Sequence, residues 1–263
     1  MSRIKQTFER LKGRRQAALI PFIMAGDPDL KTTEVLAVRM AQRGADIIEL
    51  GVPYSDPLAD GPTIQAASQR ALQNGVNLKS IFSLARKLQG IASPLVLMTY
   101  FNPIFRYGLQ AFASDCQRSG IDGVIVPDLP PEEAGAWIEE ARKLELDTIF
   151  LAAPTSPEER IRLVSKVSRG FIYYVSITGV TGVRGNLPEE LASVVRRIKE
   201  RSRKPVAVGF GVSTPEQAKE VSGFADGVIV GSAIVKIVEE GGKNDQLAER
   251  VGDFIASLAD AIR

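Results

Sequence analysis

Short apolar segments alternate with longer amphipathic segments along the whole chain. A short apolar run bounded by turn residues is typical of a strand that is buried on both faces of a sheet. The pattern predicts these strands: Ala18–Met24, Ile47–Gly51, Leu95–Tyr100, Gly123–Val126, Thr148–Leu151, Phe171–Val175, Val206–Gly209 and Gly227–Val230.

Helical patterns fill the intervals between the predicted strands. They cover Thr32–Arg43, Ile64–Asn74, Lys79–Leu88, Leu109–Ser119, Pro131–Leu144, Glu158–Val167, Pro188–Arg201, Pro215–Val221 and a closing helix at Asn244–Ile262. Strands that are separated by helices pair in parallel, and eight such units close into a barrel. We therefore expect an α/β fold, a single (β/α)8 TIM barrel over residues 1–263, with an extra N-terminal helix and a short phosphate-site helix after strand 8.

An internal repeat supports the barrel. The segment Ser119–Val126 recurs as Gly223–Val230, and Gly44–Leu50 is a weaker copy. In each copy a glycine ends a helix, a short turn with Asp follows, and an apolar strand begins. The alternative is an open doubly wound sheet, but the loop Ala25–Asp29 after the first strand lacks a glycine-rich dinucleotide fingerprint.

Composition narrows the class of protein. The chain has 263 residues, 44% of them hydrophobic and 24% charged, and a net charge of +2, which does not favour nucleic-acid binding. No apolar run is long enough for a membrane span. One cysteine, Cys116, forms no internal disulfide, and the absence of histidine excludes the usual zinc sites. We expect no metal site; the alternative is an all-carboxylate magnesium site, for which the chain has no recognisable loop. We also expect a cytoplasmic protein, or one of an organelle stroma if a transit peptide was removed.

Without histidine, acid–base chemistry near neutral pH depends on carboxylates, tyrosine, lysine or Cys116. Glu49 ends the second predicted strand, and period-two alternation places it on the same face as Ile47, toward the barrel interior. A carboxylate there has a raised pKa because burial disfavours its charged form. The alternative is a structural Glu49 that caps a helix or pairs with a lysine.

The loop Val52–Pro62 carries two more carboxylates. Asp60 is the second catalytic candidate, although Asp60-Gly61-Pro62 is also a good helix start. Asp56 precedes a proline and is more typical of a turn.

A phosphate site is predicted where the loops after strands seven and eight meet. Gly209-Phe-Gly211 and Gly231-Ser232 follow these strands, and glycines let backbone N–H groups approach an anion at a helix N-terminus. The loop Ser176–Leu187, with Gly182 among its glycines, is typical of a mobile lid and is a further candidate contributor. The alternative is a pair of tight turns.

Apolar side chains near the strand C-termini indicate either barrel core or a pocket for a flat aromatic group. They are Phe22, Met98, Tyr100, Leu151, Tyr173 and Phe210. No lysine lies on a predicted strand, so a Schiff base is not expected, and metal-dependent aldolases usually need histidine. Carbon–carbon cleavage would then have to send its electrons into the substrate, which an indole ring protonated at carbon 3 allows.

The segment from Glu49 to Pro62, Glu-Leu-Gly-Val-Pro-Tyr-Ser-Asp-Pro-Leu-Ala-Asp-Gly-Pro, closely resembles the signature of the tryptophan synthase alpha subunit family. The resemblance covers essentially the whole chain. It extends to Pro21–Pro28, Met98–Pro103, Val126–Pro130, Gly179–Gly182, Gly209–Gly211 and Gly231–Val235.

The resemblance implies retro-aldol cleavage of indole-3-glycerol phosphate to indole and D-glyceraldehyde 3-phosphate. Glu49 would move protons between indole carbon 3 and the glycerol hydroxyl, and Asp60 would bind the ring N–H. Tyr173 and Thr181 would support them, with Thr181 closing on Asp60. The remaining implied contacts are Gly182, Gly211, Gly231 and Ser232 for phosphate, and Phe22, Tyr100, Leu151 and Phe210 for the indole ring.

The family resemblance also implies a partner. A beta subunit carrying pyridoxal phosphate would complete an α2β2 heterotetramer and receive indole through a tunnel, while the alpha subunit needs no cofactor. The partner would contact Pro53–Asp60, Asn102-Pro103 and the region near Leu129–Pro131. Alternatives are a free-standing lyase that releases indole, a non-catalytic allosteric partner, and another phosphate-binding barrel such as a sugar-phosphate isomerase.

Overall fold

The computed structural model is a closed barrel in which eight parallel strands pair in chain order and β8 pairs with β1. It describes residues 1–175, 187–209, 211–242 and 246–263, with Leu187 and Pro188 described by their backbone alone. The strands are β1 Ala18–Met24, β2 Ile48–Gly51, β3 Leu95–Met98, β4 Gly123–Ile125, β5 Asp147–Ala152, β6 Ile172–Val175, β7 Val206–Gly209 and β8 Gly227–Val230. The predicted barrel is confirmed, and the open sheet is wrong.

Helices cover the outside of the barrel. In the described ranges they are α1 Arg3–Gly13, α2 Leu30–Gln42, α3 Pro62–Gln73, α4 Leu78–Lys87, α5 Phe101–Tyr107, α6 Leu109–Arg118, α7 Gly135–Lys143, α8 Glu158–Val167, α9 Leu187–Arg201, α10 Pro215–Ser222, α11 Ser232–Gly241 and α12 Leu247–Ile262. Both extra helices of the prediction, α1 and α11, are present. No helix in the described part of the chain is long and apolar enough to cross a bilayer.

Two sequence predictions differ from the structure near the strand C-termini. The predicted strand Leu95–Tyr100 ends at Met98, and helix α5 follows at once, with Pro103 in its first turn, where a missing N–H has no cost. Gly108, at φ 91°, separates α5 from α6. Helix α7 begins at Gly135 rather than Pro131 because a turn, closed by the Glu133 N–H and the Pro130 carbonyl, precedes it.

The barrel interior is apolar, and helix α1 closes its N-terminal end. The interior cluster comprises Ala18, Ile20, Ile47, Val96, Ile125, Ile149, Phe171, Ala207 and Ile229, together with Ile4, Phe8 and Leu11 of α1. Arg3 and Arg10 on the same helix form ion pairs with Asp122 and Asp46, at 2.9 and 3.1 Å. We therefore expect the chemistry at the opposite, C-terminal end of the strands.

The internal repeat has a structural reason. In each copy the Asp carboxylate accepts a backbone hydrogen bond from the preceding strand: Asp46 from Leu19 (3.1 Å), Asp122 from Leu95 (2.9 Å) and Asp226 from Val206 (2.9 Å). Each carboxylate also pairs with a cation, namely Arg10, Arg3 or Lys199. These bonds set the strand starts, because a strand in this register cannot slide without losing them.

We predict that Asp46→Ala lowers the free energy of unfolding by about 2–3 kcal/mol, since it leaves the buried Leu19 N–H without its acceptor and Arg10 without its partner. Urea unfolding followed by circular dichroism measures the change. The matched control is Asp253→Ala, whose carboxylate is 71% exposed and pairs with Arg43 at 3.4 Å. The control should stay within about 0.5 kcal/mol of the wild type, and equal losses in both variants would contradict the role of Asp46.

Candidate active site

Glu49 is a buried carboxylate on the inner face of β2. It is 1% exposed, lies beside Phe22 and Val96 in the strand register, and follows Ile47 of the interior cluster by two residues. Neither carboxylate oxygen has a hydrogen-bond partner among the described residues, so the structure favours neither helix capping nor a lysine pair. Burial, followed by the nearby charge of Asp60, raises the pKa of Glu49 from its ordinary 4.5 to about 8.

Asp60 ends the loop between β2 and α3, and it is not the cap of that helix. Helix α3 begins at Pro62 behind the N-cap Gly61, and no side chain in the described part of the protein makes the cap hydrogen bond. The Asp60 carboxylate is therefore available for chemistry. Burial raises its pKa from the ordinary 3.8 to about 6, although a hydrogen bond with Tyr100 acts in the opposite direction.

Two glycines, Gly51 and Gly209, make room for aromatic rings at the mouth of the barrel. A Cβ at Gly209 would lie 2.7 Å from the Tyr173 hydroxyl, and one at Gly51 would lie 2.5 Å from the Phe22 ring. Sequence reasoning did not assign this packing role, and the only available signal was glycine at a strand end. Burial, and then the charges of Glu49 and Asp60, raise the pKa of the Tyr173 hydroxyl well above the ordinary value.

The predicted apolar wall lies at the C-terminal end of the strands, as far as the structure describes it. Phe22 is on β1, Leu151 on β5 and Tyr173 on β6, and Tyr100 follows β3. Leu151 and Tyr173 pack against the interior cluster, while Phe22 is buried in the larger apolar cluster of the barrel and its helices. Phe210 and residues 176–186 of the predicted lid, which include Thr181 and Gly182, lie outside the described residues.

The predicted phosphate site is built around the start of α11. The helix begins at Ser232 behind Gly231, and its first backbone hydrogen bond is donated by Ile234, so the N–H groups before it face away from the helix. Gly211 has φ 47°, and a side chain there would enter open space. Because β7 and β8 are paired at Gly209 and Ile229, the loops carrying Gly211 and Ser232 are neighbours. This end can hold an anion.

The predicted aromatic pocket and the predicted phosphate site would adjoin. A Cβ at Gly231 would lie 3.6 Å from the Phe22 side chain, so the wall of the pocket contacts the loop before α11. A ligand with a flat apolar group at one end and a phosphate at the other fits this arrangement. Among the described residues no cluster of three or more His, Cys, Asp or Glu side chains could hold a metal ion.

Known proteins share this sequence and this architecture. The model of the family described as tryptophan synthase alpha chain matches residues 8–263. This chain belongs to that family. Curated tryptophan synthase alpha chains from Geotalea uraniireducens and Geobacter sulfurreducens are 50% and 51% identical to it, and the matches cover 100% of this chain and 98% and 99% of the relatives.

Solved structures of tryptophan synthase agree with the sequence match. The alpha subunit from Legionella pneumophila superposes with a TM-score of 0.93 at 38% identity, covering 100% of this chain and 98% of that one. A chain of the M. tuberculosis enzyme in its aminoacrylate-bound form superposes at 0.90, with 38% identity and full coverage of both chains. The chain thus has the role of an alpha subunit, part of an enzyme of tryptophan biosynthesis, and the free-standing lyase is not favoured.

One contact near the site was missed by sequence reasoning. Arg70 of α3 donates two hydrogen bonds of 2.8 Å to the buried Asp27 in the loop after β1, and a third of 2.8 Å to Glu239 of α11. The contact joins α3, which follows Asp60, to α11, which begins at the predicted phosphate site. No local pattern indicates it, because its three members are far apart in the chain.

The burial of Glu49 predicts that the free energy of unfolding depends on pH. Its folded-state pKa of about 8 lies above the ordinary 4.5, so the folded chain binds more protons than the unfolded chain between these values. The contribution of Glu49 to the free energy of unfolding is therefore fully present below about pH 4.5. It is lost as the pH rises toward 8, by up to about 1.4 kcal/mol per pH unit.

Glu49→Gln has no titrating group at this position and should unfold at higher urea than the wild type at pH 8.5, with a smaller difference at pH 5.5. The measurement is the urea midpoint of both proteins across this pH range. A difference that does not grow with pH would mean that Glu49 is not held protonated by the fold.

Proposed function

We propose that this chain is a lyase that cleaves indole-3-glycerol phosphate to indole and D-glyceraldehyde 3-phosphate by a retro-aldol reaction. The observation that carries the proposal is the difference in pKa between two carboxyl groups, Glu49 and Asp60, near the C-terminal end of the barrel strands. With pKa values of about 8 and 6, Glu49 is mainly protonated and Asp60 mainly ionised at neutral pH. One acid and one anion are what the reaction requires.

In the proposed mechanism Glu49 first donates its proton to carbon 3 of the indole ring. The ring nitrogen becomes positively charged, and the ionised Asp60 stabilises it through the N–H. The bond between carbon 3 and the glycerol chain then breaks, and its electron pair returns to the indole ring. As the aldehyde forms, the Glu49 carboxylate takes the proton of the adjacent hydroxyl, so the enzyme ends each cycle in its starting protonation state.

The other site residues bind and orient the substrate in this proposal. Phe22, Tyr100, Leu151 and Phe210 would contact the indole ring, and Tyr173 would orient Glu49. Gly182, Gly211, Gly231 and Ser232 would bind the phosphate. Thr181 would contact Asp60 when the loop 176–187 closes and excludes water. Support comes from the aromatic wall and the α11 N-terminus, which lie at the same end of the barrel.

We further propose a beta-subunit partner in an α2β2 heterotetramer, with pyridoxal phosphate on that partner and no cofactor on this chain. The partner would contact Pro53–Asp60, Asn102-Pro103 and the region near Leu129–Pro131. Support comes from Leu58 in the first segment, which is 94% exposed, and Phe105 in α5, which is 68% exposed. Large apolar side chains in such positions are typical of a surface that another protein covers. The catalytic unit would be one domain, residues 1–263, in the cytoplasm.

The first test is indole release from indole-3-glycerol phosphate, measured with and without a tryptophan synthase beta subunit. We expect slow release by the chain alone and a marked increase with the partner. Equally fast release in both conditions would indicate the free-standing lyase. No release in either would refute the proposed reaction.

The pH dependence of kcat/KM tests the assignment of acid and anion, because it reports the groups of the free enzyme. We expect a bell-shaped profile with limbs near the pKa values of about 6 for Asp60 and about 8 for Glu49. Asp60→Asn should reduce the rate severely and move the remaining basic limb to lower pH, since the Asp60 charge raises the pKa of Glu49.

Glu49→Gln should abolish cleavage, while Asp253→Asn, an exposed change on α12, serves as the matched amide control and should cleave at the wild-type rate. Retained turnover in Glu49→Gln would remove this residue from the proton path.

A further inference from the structure

We infer that Tyr100 is a positioning residue for Asp60. The Tyr100 hydroxyl would hold in place both the Asp60 carboxylate and the backbone of the loop between β2 and α3 that carries it. The inference rests on the proposed function, because the importance of Asp60 comes from it. The proposed function uses only the ring of Tyr100, which would contact the substrate. The inference adds a role for its hydroxyl, which would act through Asp60.

The hydrogen bonds of the Tyr100 hydroxyl define this role. The Ala59 N–H donates to its oxygen at 2.9 Å. The carboxylate of the next residue, Asp60, is near enough for a hydrogen bond from the same hydroxyl to lower the pKa of Asp60. A phenol has one proton to donate and can accept at the same time. Since the oxygen is the acceptor for Ala59, the proton is free to be donated to the carboxylate. Two consecutive residues of the loop are thus held by one hydroxyl.

Tyr100 is itself fixed by its neighbours. It is 5% exposed, and its ring stacks on Tyr54 with centroids 5.0 Å apart. The Tyr54 hydroxyl accepts from Asn102 at 3.2 Å, and the Tyr54 backbone exchanges hydrogen bonds of 2.8 and 2.9 Å with Ser68 of α3. The residues of the loop between Tyr54 and Asp60 are mostly exposed. The buried phenol of Tyr100 is therefore a fixed hydrogen-bond partner for this exposed loop.

The contact has an electrostatic consequence for Asp60. Donation by Tyr100 lowers the pKa of Asp60 and so opposes the effect of burial. The other titratable groups that act within this site are Glu49 on β2 and Tyr173 on β6, and Asp128 after β4 adds its charge at Tyr100. Without the Tyr100 hydroxyl, Asp60 would become protonated at a higher pH and lose a fixed direction toward the ring N–H.

The direct test needs no catalysis. Carbon-13 NMR of labelled aspartate carboxyl groups follows the titration of Asp60, assigned by its loss in Asp60→Asn. In Tyr100→Phe we expect the Asp60 midpoint to rise by about one pH unit or more, the usual effect of losing a hydrogen bond to a charged group. The control is Tyr107→Phe at the other end of α5, whose hydroxyl donates to Asp115. It should leave the Asp60 midpoint unchanged, and an unchanged midpoint in Tyr100→Phe would overturn the inference.

The kinetic test separates positioning from simple packing. Tyr100→Phe keeps the ring, so we expect KM within about twofold of the wild type, kcat lower by about tenfold or more at pH 7, and the acid limb of kcat/KM moved to higher pH. A raised KM with unchanged kcat and pH profile would mean that Tyr100 only lines the pocket. If the wild type releases no indole even with a beta subunit, the proposed function fails, while the NMR result still decides the contact between Tyr100 and Asp60.

Discussion

The structure depends on keeping the Glu49 carboxyl group, which has no hydrogen-bond partner among the described residues, inside an apolar barrel. A buried acid without a partner is stable only in its neutral form, and that form is the one that can donate a proton at neutral pH. The same burial lowers stability as the pH rises, so reactivity and stability are linked at this residue. The other end of the barrel is closed by α1 through apolar packing and two ion pairs.

Space around Glu49 is made by small residues and filled by large ones. Gly51 and Gly209 leave room for Phe22 and Tyr173, so the aromatic rings approach the strands more closely than any side chain at those positions would allow. Asp60 then enters from the loop, with its carboxylate not used by the following helix. Two carboxyl groups with different pKa values arise because one lies in the strand and the other lies at the pocket edge with a phenol beside it.

The loop that carries Asp60 has two faces with different tasks. Toward the barrel, Tyr100 binds its backbone at Ala59, and toward solvent it exposes Leu58. The sequence pattern did not predict helix α5. Tyr100 is the N-cap of this helix, and the exposed Phe105 lies within it. A partner that covers Leu58 and Phe105 would therefore press on the elements that hold Asp60, which is a physical route by which docking could change catalysis.

The sequence by itself determined the barrel, the repeat and the location of Glu49, because strand periodicity and the parallel βα alternation are local patterns that persist in the fold. It also placed α11 at Ser232, since glycine before an amphipathic run is a local signal. Only the tertiary structure decided that the pKa of Glu49 lies above that of Asp60, that Asp60 is not a helix cap, and that Tyr54 and Tyr100 lie beside the loop that carries Asp60. Burial and contacts between distant segments set these properties, and local sequence patterns predict neither of them.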